Sequence, residues 1–324
     1  MLAEIGLVAG FLSFLAALYA VAASVYGERF ARSEAWVISG RNAVYVTFVL
    51  ITTATVALQV ALMTEQYQIA YVWSVSSPDM PDFFRMTALW GSQAGSLLFW
   101  SFLISGFAAG ATFANWNAYR RLMPYAIAYM MATVAFFIGL VIFIENPFTS
   151  WWILPDGEVV QTALMPAGAV APSASRLAET ANGLNPLLRH FGMAIHPPML
   201  YLGFVGFVIP FAFAMAALAS GDLSTNWIKV SRRWALAAWL FLSLGLLLGG
   251  RRAYDVLGWG GYWGWDPVEN AAFLPWLVGT AYLHSVMIQE KRGMLKTWNM
   301  FLVIATFSAV IFATFATRRG LVKP

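Results

Sequence analysis

The twenty residues from Tyr125 to Ile144, YAIAYMMATVAFFIGLVIFI, contain neither a charge nor a proline. As a helix rising about 1.5 Å per residue they reach roughly 30 Å, the thickness of a bilayer's hydrocarbon core. The run is apolar on every face, which suits lipid rather than the surface of a soluble domain. Seven comparable stretches flank it: Leu2 to Tyr26, Ala43 to Met63, Leu97 to Asn115, Met199 to Leu218, Trp234 to Gly250, Ala271 to Ile288 and Trp298 to Ala316. Across the 324 residues, 60% are hydrophobic and 10% charged, against about 45 to 50% and about 25% in soluble domains. Strand alternation is weak, and lipid offers the backbone no hydrogen-bond partner, so the spans are expected to be helices. The expectation is an all-α integral membrane protein of eight transmembrane helices, which excludes a soluble enzyme. The first run has no basic flank before it and no small-residue cleavage site after it, and is expected to be a retained helix.

Lysine and arginine set the orientation. Loops after odd-numbered spans hold eleven positives against four acids, and the other side holds eight positives against eleven acids. The positive-inside rule makes the first set cytoplasmic. Both termini then lie outside, with the three largest loops, residues 64–96, 146–195 and 251–270. The second of these, rich in proline and small residues, is expected to be a partly flexible excursion. One transmembrane domain is expected over residues 1–324. The net charge of +4 and pI near 9.4 fit basic cytoplasmic loops, so nucleic acid is set aside as a partner. The absence of cysteine excludes disulfides, iron–sulfur clusters and thiolate ligation, leaving any redox role to an external cofactor.

In residues 258–270, Trp259, Tyr262, Trp263 and Trp265 alternate with Gly258, Gly260, Gly261 and Gly264, ahead of Asp266. An interfacial aromatic belt is one reading. The other is a platform for a flat apolar ligand, since glycines between the rings let the backbone approach it. Of three histidines, His284 lies nine residues past Pro275, roughly 14 Å into a core about 30 Å thick. An ionisable residue there is a candidate ligand or a hydrogen-bonded bridge between helices. His196 precedes Pro197 and Pro198 where a span begins, as a held ligand or a wetted interfacial residue. His190 reads as a surface residue. Imidazole with glycine-spaced aromatics and no cysteine suits haem bound non-covalently. Zinc would want more ligands than the chain offers. Arg251 and Arg252 are candidate propionate contacts, interfacial snorkelling being the plainer reading.

Residues Trp259 to Trp276 resemble the tryptophan-rich WWD haem-handling domain of cytochrome c biogenesis proteins. The continuation Asp266-Pro267-Val268-Glu269-Asn270-Ala271 resembles the CcmF branch. Four further motifs agree in the family's order: Leu89-Trp90-Gly91 with Gly95-Ser96-Leu97-Leu98, Leu184-Asn185-Pro186-Leu187-Leu188, His196-Pro197-Pro198-Met199-Leu200-Tyr201, and Leu283-His284-Ser285 with Gln289-Glu290-Lys291-Arg292-Gly293. The resemblance implies a subunit of cytochrome c haem lyase, which presents haem at the outer membrane face for thioether attachment to the CxxCH motif of apocytochrome c. It implies His196 as a ligand to the iron of the transferred haem, with Trp259, Trp263, Trp265 and Asp266 as its seat. His284 is implied as a ligand to the iron of a membrane-embedded haem b that relays electrons.

The implied partners are apocytochrome c, a CcmE-type haem chaperone, a CcmH-type thiol protein and the lipid membrane. The implied location is the bacterial cytoplasmic membrane or an organellar inner membrane, with the active face outward. Members of the family are commonly about twice as long, so a split or truncated form is expected, with a second polypeptide supplying the C-terminal half and its histidines. Arg252 stands where an aromatic residue is common, and Ser92 where glycine is usual. The alternative is a haem-delivery or scaffold protein of CcmC or CcsA type without attachment activity. A small-molecule transporter is a weaker third, since the spans lack paired acids.

Overall fold

The computed structural model describes residues 1–256, 258 and 260–318. Among the described residues, eight helices are long and apolar enough to cross a membrane. They are α1 (Leu2–Arg29), α2 (Glu34–Met63), α5 (Gln93–Asn115), α6 (Met123–Phe143), the pair α8 (Gly192–Gly206) and α9 (Val208–Ser220), α10 (Asn226–Val256), α11 (Pro267–Arg292) and α12 (Lys296–Arg318). Among the described residues the protein is all-α apart from one hairpin, β1 (Ser150–Ile153) and β2 (Val159–Thr162). The α8–α9 pair counts as one span. Its break falls at Phe207 because Pro210 has no N–H to offer the carbonyl of Gly206.

The chain divides into two compact units. The first comprises Met1–Leu18, Tyr45–Ser105 and Val134–Ala194. In it α1 approaches α6 closely: a β-carbon on Gly10 would stand 2.5 Å from the Ile142 side chain. The loops at residues 64–96 and 146–195 carry α3 (Ala70–Val75), α4 (Asp82–Thr87), the hairpin, and α7 (Ala174–Glu179). Where a partly flexible excursion is expected, the second loop therefore holds regular elements. A Pro155-Asp156-Gly157 turn, with Gly157 at φ +86°, reverses the hairpin. The backbone of Ala70 donates to Thr149 and that of Trp151 to Gln68, tying the two loops together. Arg85, 9% exposed, bridges Glu65 at 2.8 Å and Asp82 at 3.0 Å.

The second unit comprises Tyr19–Val44, Gly106–Thr133 and the chain from Ile195 on. Here α8 and α10 meet over small residues. β-carbons on Gly203 and Gly245 would lie 2.5 Å and 2.7 Å from the backbones of Leu242 and Leu200. Without a hydrophobic drive between helices in lipid, such close backbone approach supplies the packing. Between α11 and α12, the buried Asn299 amide donates to Gln289 at 2.6 Å and to the carbonyl of Ser285 at 3.3 Å.

Candidate functional site

Helix α8 begins at Gly192, so Pro197 and Pro198 lie inside it rather than at its start. Pro197 cannot donate to the Met193 carbonyl. That carbonyl instead accepts the indole N–H of Trp90 at 2.9 Å, a contact in the first unit that lets the helix start early. Gly91 and Leu184, from two of the quoted motifs, also meet there: a β-carbon on Gly91 would stand 2.7 Å from Leu184. Ser92, Asn182 and Asn185 line an adjoining cavity of about 510 Å³.

Half-buried His196 packs on α10. Its Nδ1 donates to the carbonyl oxygen of Gly245 at 2.8 Å. A carbonyl only accepts, so Nδ1 carries the proton and Nε2 keeps its lone pair, the state in which imidazole binds a metal. A β-carbon on Gly249 would lie 2.6 Å from the ring's Cε1. The next residue, Gly250, carries the returning aromatic loop, its would-be β-carbon 2.9 Å from the carbonyl of Tyr262. The rings of Tyr254 and Tyr262 stack above it, 4.6 Å apart. Two consecutive glycines thus bring His196 and the aromatic segment together on α10.

Helix α10 runs on to Val256 and α11 starts at Pro267. Arg251 and Arg252 therefore stand on a helix rather than in a loop, and the linker is shorter than expected. Arg251 pairs with Asp255 at 3.0 Å. The charge of Arg252 lies within reach of His196. Trp259 lies outside the described residues.

Asp266 caps α11. Its carboxylate accepts the N–H of Glu269 at 2.7 Å, and the Glu269 carboxylate accepts from the N–H groups of Asp266 and Gly264. This is a reciprocal capping box with Pro267 in the first turn. The Asn270 amide holds the Trp265 carbonyl at 2.9 Å. These three side chains fix Trp265 at φ +56°, a left-handed conformation that leaves its indole 69% exposed. Such strain costs about 1–3 kcal/mol and persists where surrounding structure enforces it. Asp266 thus shapes the shelf from its edge. Trp263 sits behind, its indole N–H buried and without a hydrogen-bond partner among the described residues.

From that shelf an aromatic column runs along α11. Centroids are 6.1 Å apart from Trp265 to Trp263, 5.8 Å to Phe273, 5.3 Å to Trp276 and 5.9 Å to Trp239. Indole N–H groups pin it: Trp276 donates to Ser243 and Trp239 to Thr280, each at 2.7 Å. The Thr280 carbonyl accepts Nδ1 of His284 at 2.9 Å, which again leaves Nε2 open. His284 is exposed in a groove of about 360 Å³, lined by Leu236, Trp239, Met287 and, at one end, Arg232, Glu290 and Lys291. It is eight residues, about 12 Å, from Arg292 at the basic end of α11 and about 26 Å from Pro267. His190 differs from both: its Nδ1 accepts the N–H of Gly192 at 3.1 Å, so a neutral ring carries its proton on Nε2.

At both histidines Nε2 has no hydrogen-bond partner among the described residues, with apolar or aromatic side chains and cations nearby, the kind of donor set that haem takes. Sequence reasoning had no role for Gly249, Tyr254, Asn270, Trp239 or Thr280. The spacing of Gly245 and Gly249, and of Asp266 and Glu269, carried signals for helix packing and a helix cap.

Residues 90–322 match the family model described as Cytochrome C assembly protein. The chain belongs to this family, and is of the CcmF kind. It is 40% identical over 290 residues to the cytochrome c-type biogenesis protein CcmF of Pseudomonas aeruginosa, spanning 88% of this chain and 40% of that protein. To CcmF of Haemophilus influenzae it is 35% identical over 321 residues, covering 99% of this chain and 46% of that one. The solved structure of a cytochrome c haem lyase CcmF superposes with a TM-score of 0.81 at 31% identity, over 99% of this chain and 48% of the other. The chain spans less than half the length of these CcmF relatives.

Proposed function

We propose that this chain binds haem at the outer membrane face and presents it for thioether attachment to apocytochrome c, as a subunit of a haem lyase. The observation that carries the reading is His196: its proton is fixed on Nδ1 by Gly245, its Nε2 has no hydrogen-bond partner among the described residues, and α10 seats it beside the tryptophan-rich loop. In this reading Nε2 of His196 binds the iron of the transferred haem. Trp263 and Trp265, with Trp259, line its seat, and Asp266 holds the seat's shape. Arg252, and Arg251 beyond it, meet the propionates. The thiols of a CxxCH motif add across the haem vinyl groups, each forming a C–S and a C–H bond. The chain's contribution is to hold haem still while excluding water, the part of the barrier that positioning removes.

His284 is the proposed ligand to a resident haem b, with the apolar wall of its groove against the macrocycle and Arg232 and Lys291 at the propionate end. That group would supply electrons that keep the substrate iron reduced. The charge bias of the loops supports an outward-facing shelf, both termini outside, in a bacterial cytoplasmic membrane. Proposed partners are a CcmE-type haem chaperone, a CcmH-type thiol protein and a polypeptide providing further histidine ligands. Covalent c-type cytochrome formation in cells tests this: His196→Ala is expected to abolish it with the protein still inserted, and undiminished assembly would refute the role.

A further inference from the structure

One cavity of the second unit, about 690 Å³, is larger than the His284 groove. It is bounded by the end of α5 at Ala114 and Asn115, the following turn at Ala118 and Tyr119, and the first turns of α10. Lys229, Arg232 and Arg233 fall at i, i+3 and i+4 and share one helix face. Arg232 is paired with Glu290. Among the described residues neither Lys229 nor Arg233 has an ion-pair partner, and both are exposed. Lys229, in the first turn of α10, opposes the helix dipole, and like charges at this spacing repel one another. The fold therefore maintains a positive concentration that it does not itself neutralise.

The pocket's surroundings say what neutralises it. Trp234 lines it, its ring 5.6 Å from Phe107, a residue type that marks headgroup depth. Beyond it along the same helices are exposed apolar side chains, Leu240 on α10 and Phe113 on α5, the last 82% exposed. A ligand with an anionic head and apolar chains matches both halves. We propose that this pocket binds the phosphate of an acidic phospholipid, with Lys229 and Arg233 on the phosphate, the Tyr119 hydroxyl beside it and acyl chains along Phe113 and Leu240. Free phosphate shares the head chemistry, but would leave the apolar wall unused. The site is separate from the outer haem shelf, adjoins the His284 groove through Arg232 and Glu290, and does not depend on the haem reading.

Native mass spectrometry of the full chain in detergent, offered phosphatidylglycerol or phosphatidylcholine, tests it. The wild-type chain is expected to retain one phosphatidylglycerol in preference to phosphatidylcholine. Lys229→Gln with Arg233→Gln is expected to weaken that adduct roughly tenfold. Arg233→Lys, which keeps the charge, and Arg29→Gln with Arg32→Gln, which remove charges elsewhere, are expected to keep it. An adduct unchanged in the Lys229/Arg233 variant, equal retention of phosphatidylcholine, or displacement of the lipid by millimolar inorganic phosphate would each overturn the proposal.

Discussion

Nδ1 of His196 and the carbonyl oxygen of Gly245 lie 2.8 Å apart, which fixes the imidazole tautomer from a neighbouring helix. The contact needs a bare backbone beneath the ring. A Gly249→Ala methyl would stand 2.6 Å from Cε1 and must push the imidazole off its seat. This variant is expected to keep its helix content by circular dichroism while haem affinity at His196 falls by tenfold or more, in keeping with losses of about 10- to 100-fold when a ligand's supporting contacts are removed. Gly110→Ala, with open space around the added methyl, is the matched control.

The carboxylate of Asp266 can act as a helix cap or as a charge facing a ligand, and substitutions separate the two. Asp266→Ala is expected to lose about 1 kcal/mol of stability in thermal unfolding. Asp266→Ser, a good cap without charge, is expected to recover most of it and to restore haem binding. Failure of serine to restore binding would assign the residue a direct electrostatic role.

Trp90 stands in for the donor that Pro197 lacks. Trp90→Phe keeps the ring but leaves the Met193 carbonyl without its partner, an expected loss of about 1 kcal/mol. Adding Pro197→Ala returns a backbone N–H to the same carbonyl, so the double variant is expected to lose less than the sum. Strict additivity in unfolding measurements would contradict the exchange.

Outside the spans, burial and the neighbouring Glu65 carboxylate hold the Tyr67 phenol above its ordinary pKa of 10.0. The folded state therefore favours the protonated phenol. Its contribution is fully present below about pH 10 and is lost as pH rises through the raised folded value. Tyr67→Phe is expected to flatten the alkaline fall in unfolding temperature, and an unchanged pH profile would dismiss the effect.

The spans are legible in the sequence because a twenty-residue apolar run such as Tyr125 to Ile144 has few alternatives. Their ends are less so. Arg251 and Arg252 end the apolar stretch yet stay helical, as long cationic side chains at a helix end do. The early start of α8 depends on Trp90, 103 residues away, which no local pattern reveals. The sequence distinguishes the histidines by position alone, whereas the structure separates them by which nitrogen carries the proton: Nδ1 donates in His196 and His284 and accepts in His190. Asp266 reads as part of a ligand seat, while the capping signature it forms with Glu269 explains how it holds that seat.

The most direct test of the account is haem titration of the purified chain carrying His284→Ala, which leaves the outer shelf as the proposed site. The account predicts a saturable Soret band near one haem per chain, abolished when His196→Ala is added. A stoichiometric band that survives loss of both histidines, or the lack of any band while His196 is intact, would contradict it.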